Sequence, residues 1–144
     1  MSSENRPRLS IPEELERLER ALVVLIALHS VVVGLFLTFA TEWGARFGGF
    51  PNPVPLFFPR QAGAFHFVVA AVYLVEYFHY RGVLMLVTTK SIAVVFLGIV
   101  TIVCPAPWVV PLSAVGDGLM GLLVVLVRRR RRLPLAGPAA RGTP

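Results

Sequence analysis

The sequence predicts an all-α protein that crosses a membrane as a bundle of four transmembrane helices. Hydrophobic residues make up 56% of its 144 residues and charged residues only 15%, whereas a soluble domain averages about 45–50% apolar and about 25% charged residues. The apolar residues fall into four blocks, each close to the roughly 20 residues that a membrane-spanning helix needs. These blocks are 21–40, 62–80, 83–103 and 109–127. The composition excludes a soluble enzyme, a nucleic-acid-binding domain and a disulfide scaffold.

The positions of the prolines favour helices over strands in these blocks. Proline inside a helix removes a backbone hydrogen bond and clashes with the preceding turn. Of the 12 prolines, only Pro111 lies in a predicted span, where it occupies the first turn and is tolerated. We therefore expect a single membrane domain over 1–133 and a disordered tail over 134–144.

The segment before the first span is predicted to extend the first helix. Ser10 and Glu13 fit a capping box, and Pro12 suits a first turn. Glu16 and Arg20 have the spacing of a helix-supporting ion pair. The first helix should therefore begin near Ser10. A cleaved signal peptide is the competing interpretation, but its apolar region would have 7–15 residues rather than 20.

The distribution of basic residues predicts the orientation in the membrane. Eleven arginines lie on the side that holds both termini, and two lie on the other side. Because Lys and Arg concentrate on cytoplasmic loops, both termini are predicted to be cytoplasmic. Trp43 and Trp108 then lie at the outer boundary of the membrane. The only cysteine, Cys104, also lies there, and we expect its thiol to be packed. The outer loop 41–61, which is rich in aromatic residues, should lie along the outer surface or cover the bundle.

A run of five arginines follows the last span. We expect it to end the last helix and to contact anionic lipid headgroups. Nucleic acid is not an expected partner, because the following tail offers neither interleaved aromatic residues nor a folded scaffold. The predicted headgroup residues are Arg128, Arg129, Arg130, Arg131 and Arg132.

Three charged residues and one histidine lie well inside the cytoplasmic halves of the predicted spans. An ionisable group at the bilayer centre costs at least ~2.5–3.5 kcal/mol, so each should have a partner or a function. Glu76, Lys90 and Asp117 are expected to form a cluster that His29 covers. Alternatively, Glu76 and Lys90 reach the inner headgroups separately and Asp117 bonds a neighbouring helix.

Small residues predict where the helices approach each other closely. One such stripe surrounds Asp117 on the last span, and another lies on the first span. The predicted packing residues are Ala114, Gly118, Gly121, Ser30 and Gly34. Near the outer end of the second span, Arg60 and His66 are predicted to mark an entrance.

Metal and catalytic motifs are largely missing from the sequence. Glu76 and His79 match the Glu-x-x-His pair of di-iron bundles, but the second pair and the two further glutamates are lacking. The three histidines occupy different depths. We therefore predict no metal site, no catalytic residue and no cofactor, while haem bound by His29 and a bound quinone stay open.

The segment PRQAG at 59–63, together with Tyr73, Lys90 and Asp117, resembles the DoxX-like small four-helix membrane proteins of bacteria. The resemblance covers about residues 56–127. It implies a four-helix bundle in the bacterial cytoplasmic membrane, in which Arg60, Lys90 and Asp117 link the helices. The family takes its name from a subunit of a quinone-linked oxidoreductase.

Three functions are compatible with these observations. The expected function is a non-catalytic accessory subunit or assembly factor of a larger membrane complex, such as a redox complex. The alternatives are an oligomeric proton-linked transporter that uses Glu76, Lys90 and Asp117, and a component of a quinone-linked oxidoreductase. The expected partner is another membrane protein or a second copy of the chain.

Overall fold

The computed structural model of the chain describes residues 11–52 and 54–132, and this part is all-helical. Its helices are α1 (Ile11–Phe39), α2 (Thr41–Phe47), α3 (Phe57–Tyr80), α4 (Leu84–Val103) and α5 (Val109–Arg132). All except the short α2 are long and apolar enough to cross a membrane. The predicted fold class is therefore confirmed. The predicted cap at Ser10 and the predicted disordered tail over 134–144 lie outside the described residues.

The four long helices form two closely packed pairs. α1 packs along α3, and α4 packs along α5, while contacts between α1 and α5 join the pairs. α3 and α4 contact each other much less, although only three residues connect them. The start of α1, the α3–α4 turn and the end of α5 meet at one end of the bundle, where Glu16 pairs with Arg81 and Arg131. We call this the basic end.

Two glycines allow α1 and α3 to cross at close range. A Cβ atom added to Gly63 would lie 2.9 Å from both the Gly34 carbonyl oxygen and the Thr38 nitrogen. These are backbone atoms, which cannot move away by rotation about a side-chain bond. Ser30 of α1 is also buried, and its hydroxyl donates to the Ile26 carbonyl. Gly34 and Ser30 thus lie in the α1 packing surface that their spacing predicts.

Gly118 and Gly121 lie at the contact between α5 and α4, which is less tight than the α1–α3 crossing. A Cβ atom at Gly121 would lie 3.4 Å from the Lys90 Cβ, and one at Gly118 would lie 3.6 Å from a Val94 methyl group. The third predicted member of this stripe, Ala114, is half-buried. A methyl group at either glycine would make ordinary van der Waals contact with α4 side chains, so both positions lie in the α4–α5 contact.

The predicted outer loop 41–61 is partly helical. Residues 41–47 form α2, and residues 57–61 belong to α3, so the irregular part is shorter than expected. Helix formation is possible over 41–47 because the prolines of this region start only at Pro51. α2 lies against α1 and α3, and the Trp108 indole donates to the Phe47 carbonyl at 3.2 Å. This segment therefore packs on the end of the bundle opposite the basic end.

Cys104 follows the last residue of α4 at this same end. Its thiol is exposed rather than packed. The expectation of a packed thiol is wrong, because the chain leaves the helix in an extended conformation at Cys104.

Candidate functional site

Lys90 on α4 and Asp117 on α5 form an ion pair inside the predicted membrane region. The Lys90 Nζ donates to the Asp117 Oδ1 at 2.5 Å. Only 8% of the lysine side chain and 17% of the aspartate side chain are exposed. The predicted contact between these residues is therefore present, and it satisfies two charges that would each be costly alone in a bilayer.

This ion pair lies at the floor of a groove between α4 and α5. The groove has a volume of about 360 Å³, and its walls are mainly apolar side chains, including Val94, Val95 and Leu122. Ser91 adds a hydroxyl, which donates to the Val87 carbonyl of its own helix. The groove can therefore accept an apolar group beside a neutralised pair of charges.

Glu76 does not belong to this pair, so the predicted three-residue cluster is wrong in that member. Its carboxylate accepts hydrogen bonds from the backbone N–H groups of Leu84 at 2.7 Å and Met85 at 2.9 Å. The helix itself provides no acceptor for the N–H groups of its first turn, and a carboxylate is favourable at this end of a helix. The tight α3–α4 turn, with Arg81 at φ 53°, brings the end of α3 back to the start of α4. Glu76 therefore caps a helix.

His29 and Tyr73 lie near the ion pair without bonding to it. His29 is within electrostatic range of Lys90 and Asp117, but it is exposed and makes no hydrogen bond with either in the described part of the chain. It does not cover the pair as expected. The Tyr73 hydroxyl lies beside Thr89 and within range of Asp117. That hydroxyl is buried and has no hydrogen-bond partner among the described residues.

Arg60 and His66, the predicted outer entrance, make separate contacts. The Arg60 Nε donates to the Thr41 hydroxyl at 3.4 Å, which links α3 to the start of α2. The His66 Nδ1 lies 2.8 Å from the Ala62 carbonyl oxygen of its own helix. Neither residue contacts Lys90 or Asp117. Arg60 therefore links α3 to α2 and takes no part in the contact between α4 and α5.

A second group of charged residues, at the basic end, centres on Glu19. This glutamate is completely buried. Its Oε1 accepts from Arg128 at 2.8 Å, and its Oε2 lies 3.5 Å from Arg131. Arg131 also contacts Glu16 at 3.0 Å, and Arg128 donates to the Arg81 carbonyl at 2.8 Å. The assignment of all five arginines to headgroups is therefore wrong for Arg128 and Arg131, which bind α1.

Sequence reasoning missed Glu19 because it lies just before the apolar block, where a charged residue is usually solvated. The available signal was the spacing of Glu16 and Glu19, which places both on one face of α1. Both termini are predicted to lie on the same side of the membrane. The two glutamates could therefore have been predicted to pair with the arginine run.

A cavity of about 440 Å³ adjoins this buried glutamate. It is lined by Glu19, Tyr77, Arg81, Arg128, Arg131 and Arg132. Arg129 and Arg130 do not line it. The arginine run is therefore divided between side chains that face this cavity and side chains that do not.

Over residues 11–52 and 54–132, no three His, Cys, Asp or Glu side chains come together as metal ligands. Comparison of the chain with protein-family models, with curated proteins and with solved structures gives no match.

Proposed function

We propose that the protein is a non-catalytic membrane subunit that packs against a transmembrane helix of a larger complex through α4. The observation that carries this proposal is Gly98, in the outer half of α4. A Cβ atom added there would meet no atom of the rest of the described chain within 4 Å. Glycine inside a helix is unfavourable relative to alanine by roughly 0.5–1 kcal/mol, and in membrane helices it is typical of close helix–helix contacts. Gly98 has no such contact within its own chain.

The rest of α4 supports its role as a contact helix. It packs closely on α5 alone, and its exposed positions include Thr88, Ser91 and Thr101. The hydroxyls of Ser91 and Thr101 donate to carbonyls of their own helix, at 2.8 and 2.7 Å. Because these hydroxyls are already satisfied, another helix can cover them without leaving a polar group unpaired. Ser91 and Gly98 are seven residues apart and therefore share one side of α4.

In this proposal the Lys90–Asp117 ion pair has a structural role. It ties α4 to α5 and gives the groove between them a fixed floor, next to Ser91. The bacterial cytoplasmic membrane is the proposed location, with both termini cytoplasmic. The DoxX-like resemblance and the arginine asymmetry support these two assignments.

The experiment is purification of the full chain from its native membrane in a mild detergent, with the native mass of the complex as the readout. We expect a stoichiometric complex with another membrane protein. Gly98→Leu should release the partner while the chain itself stays folded, because the added side chain meets open space. Ala71→Leu is the matched control, since it adds the same side chain at an exposed position of α3.

Two results would contradict the proposal. Either the chain purifies as a monomer or a pure homo-oligomer, or Gly98→Leu leaves the complex intact. A homo-oligomer with ion-dependent flux in liposomes would favour the proton-linked carrier instead. The observation in favour of that alternative is the buried Tyr73 hydroxyl, which lies beside Thr89 and within electrostatic range of Asp117. Glu76, however, caps α4 and is not available to such a carrier.

A further inference from the structure

We infer that the cavity at the basic end binds a phosphate group, carried by an anionic lipid headgroup or by a soluble phosphate. The first argument is charge. Four arginines line the cavity, while Glu16 and Glu19 are the carboxylates that contact them. The group therefore carries an excess of about two positive charges around a cavity that is open on one side. A phosphate monoester or diester has the charge that would neutralise this excess.

The second argument is that donors remain free for a ligand. Arg128 and Arg131 are held by Glu19 and Glu16, but the Arg81 guanidinium is 77% exposed and lies 3.7 Å from its nearest carboxylate. Arg132 makes no ion pair or hydrogen bond with any described residue. A guanidinium offers five N–H donors in a fixed plane, which suits two phosphate oxygens at once. Arg81 and Arg132 are thus the binding residues, and Arg128 and Arg131 position the cavity.

The third argument is that the cavity is rigidly built. Arg128 donates to the carbonyl of Arg81 and to Glu19 at the same time, which fixes the α3–α4 turn relative to α1 and α5. Tyr77, almost fully buried, supplies an apolar wall. The volume of about 440 Å³ lies within the range of about 300–1,000 Å³ that small-ligand sites occupy.

The position of the cavity also fits a phosphate at the membrane surface. Arg128 directly follows the apolar block 109–127, and Glu19 lies two residues before the block 21–40. Lipid phosphates lie at this level, where the apolar core of a bilayer ends. A diffuse attraction of the whole arginine run to the membrane would involve Arg129 and Arg130 equally, whereas the cavity selects Arg81 and Arg132.

The test measures binding of phosphatidylglycerol to the full-length protein in detergent, with phosphatidylcholine as the uncharged comparison. We expect preferential binding of phosphatidylglycerol. Arg132→Gln and Arg81→Gln should each weaken it by about tenfold or more, the loss expected for removing a direct hydrogen bond to a charged group. Arg130→Gln is the matched control, because it removes the same charge from the same run outside the cavity. It should change binding less than about twofold.

A second arm identifies the source of the phosphate. Inorganic phosphate is added to the protein in phosphatidylcholine micelles, and the thermal unfolding temperature is followed. A rise that Arg132→Gln abolishes assigns the site to a soluble phosphate as well, and no rise together with phosphatidylglycerol binding assigns it to lipid. The proposal is overturned if neither probe binds, or if Arg130→Gln weakens binding as much as Arg132→Gln does.

Discussion

Among the described residues, the two most deeply buried ion pairs connect helices, and α5 supplies one residue to each. Lys90–Asp117 joins α4 to α5, and Glu19–Arg128 joins α1 to α5. Removing one partner of a buried pair is far more damaging than removing both, because the remaining charge stays in an apolar environment. The two pairs lie at different depths along α5. They therefore fix both the rotation and the vertical position of this helix.

The Lys90–Asp117 pair gives a direct prediction for stability. Asp117→Asn and Lys90→Met should each lower the stability of the protein in detergent, by about 3–5 kcal/mol. The double variant should recover part of this loss, since no charge is left unpaired. The measurement is thermal unfolding of the three variants and the unchanged protein. Losses that add in the double variant would mean that the two residues are not coupled.

At the scale of the helices, glycine contacts decide which surfaces can meet. Gly34 with Gly63 sets the α1–α3 crossing, whereas Gly118 and Gly121 leave room for a methyl group at the α4–α5 contact. The polar end of α3 is joined to α4 through Glu76. Gly82 lies beside this carboxylate, and a Cβ atom there would lie 2.7 Å from the Glu76 Oε1, so the glutamate would have to shift to accommodate it. Of these connections, the α1–α3 crossing is the one that depends on missing side chains.

Two glycine-to-alanine changes should have opposite effects on the isolated chain. Gly63→Ala places a Cβ against the backbone of α1, so it should destabilise the protein by about 1–3 kcal/mol. Gly98→Ala meets open space and removes a glycine from a helix, so it should stabilise by roughly 0.5–1 kcal/mol. Thermal unfolding in detergent measures both. Equal effects of the two changes would show that the α1–α3 crossing is not tight.

The helices and one ion pair could be predicted from sequence, whereas the role of Glu76 could not. Hydropathy is a local property, so blocks of about 20 apolar residues identify spans directly. The pairing of Lys90 with Asp117 could be predicted because either charge alone in lipid is costly. The contact of Glu76 with α4 depends instead on the left-handed conformation of Arg81, which residue type does not reveal. Glu19 was missed because its partners lie at the far end of the chain.

On the scale of the whole molecule, the arginine asymmetry predicts one orientation. The basic end should face the cytoplasm, and α2 and Cys104 should lie on the outside. Cys104 is exposed and is the only cysteine, so labelling with a thiol reagent reports on the position of this residue alone. The two ends of the bundle also differ in character, because Trp43 and Trp108 lie at the end that carries few charges.

Labelling and reporter fusions test this orientation. An impermeant maleimide should label Cys104 in intact cells, and Cys104→Ser should remove the signal. A reporter enzyme that is active only outside the cytoplasm should be active when fused at Asn52 and inactive when fused at Pro144. Activity of the Pro144 fusion on the outside would reverse the predicted topology.

The Glu19–Arg128 pair also matters while the chain is being made. Its two residues are 109 positions apart, so at about 5–20 residues per second Glu19 waits roughly 5–20 s for its partner to be synthesised. During that interval α1 and α3 can already pack through Gly34 and Gly63, but the Glu19 carboxylate lacks the guanidinium groups that neutralise it. A chain cut short before residue 128 never obtains them. The contact between α1 and α5 through this pair can therefore form only after residue 128 has been synthesised.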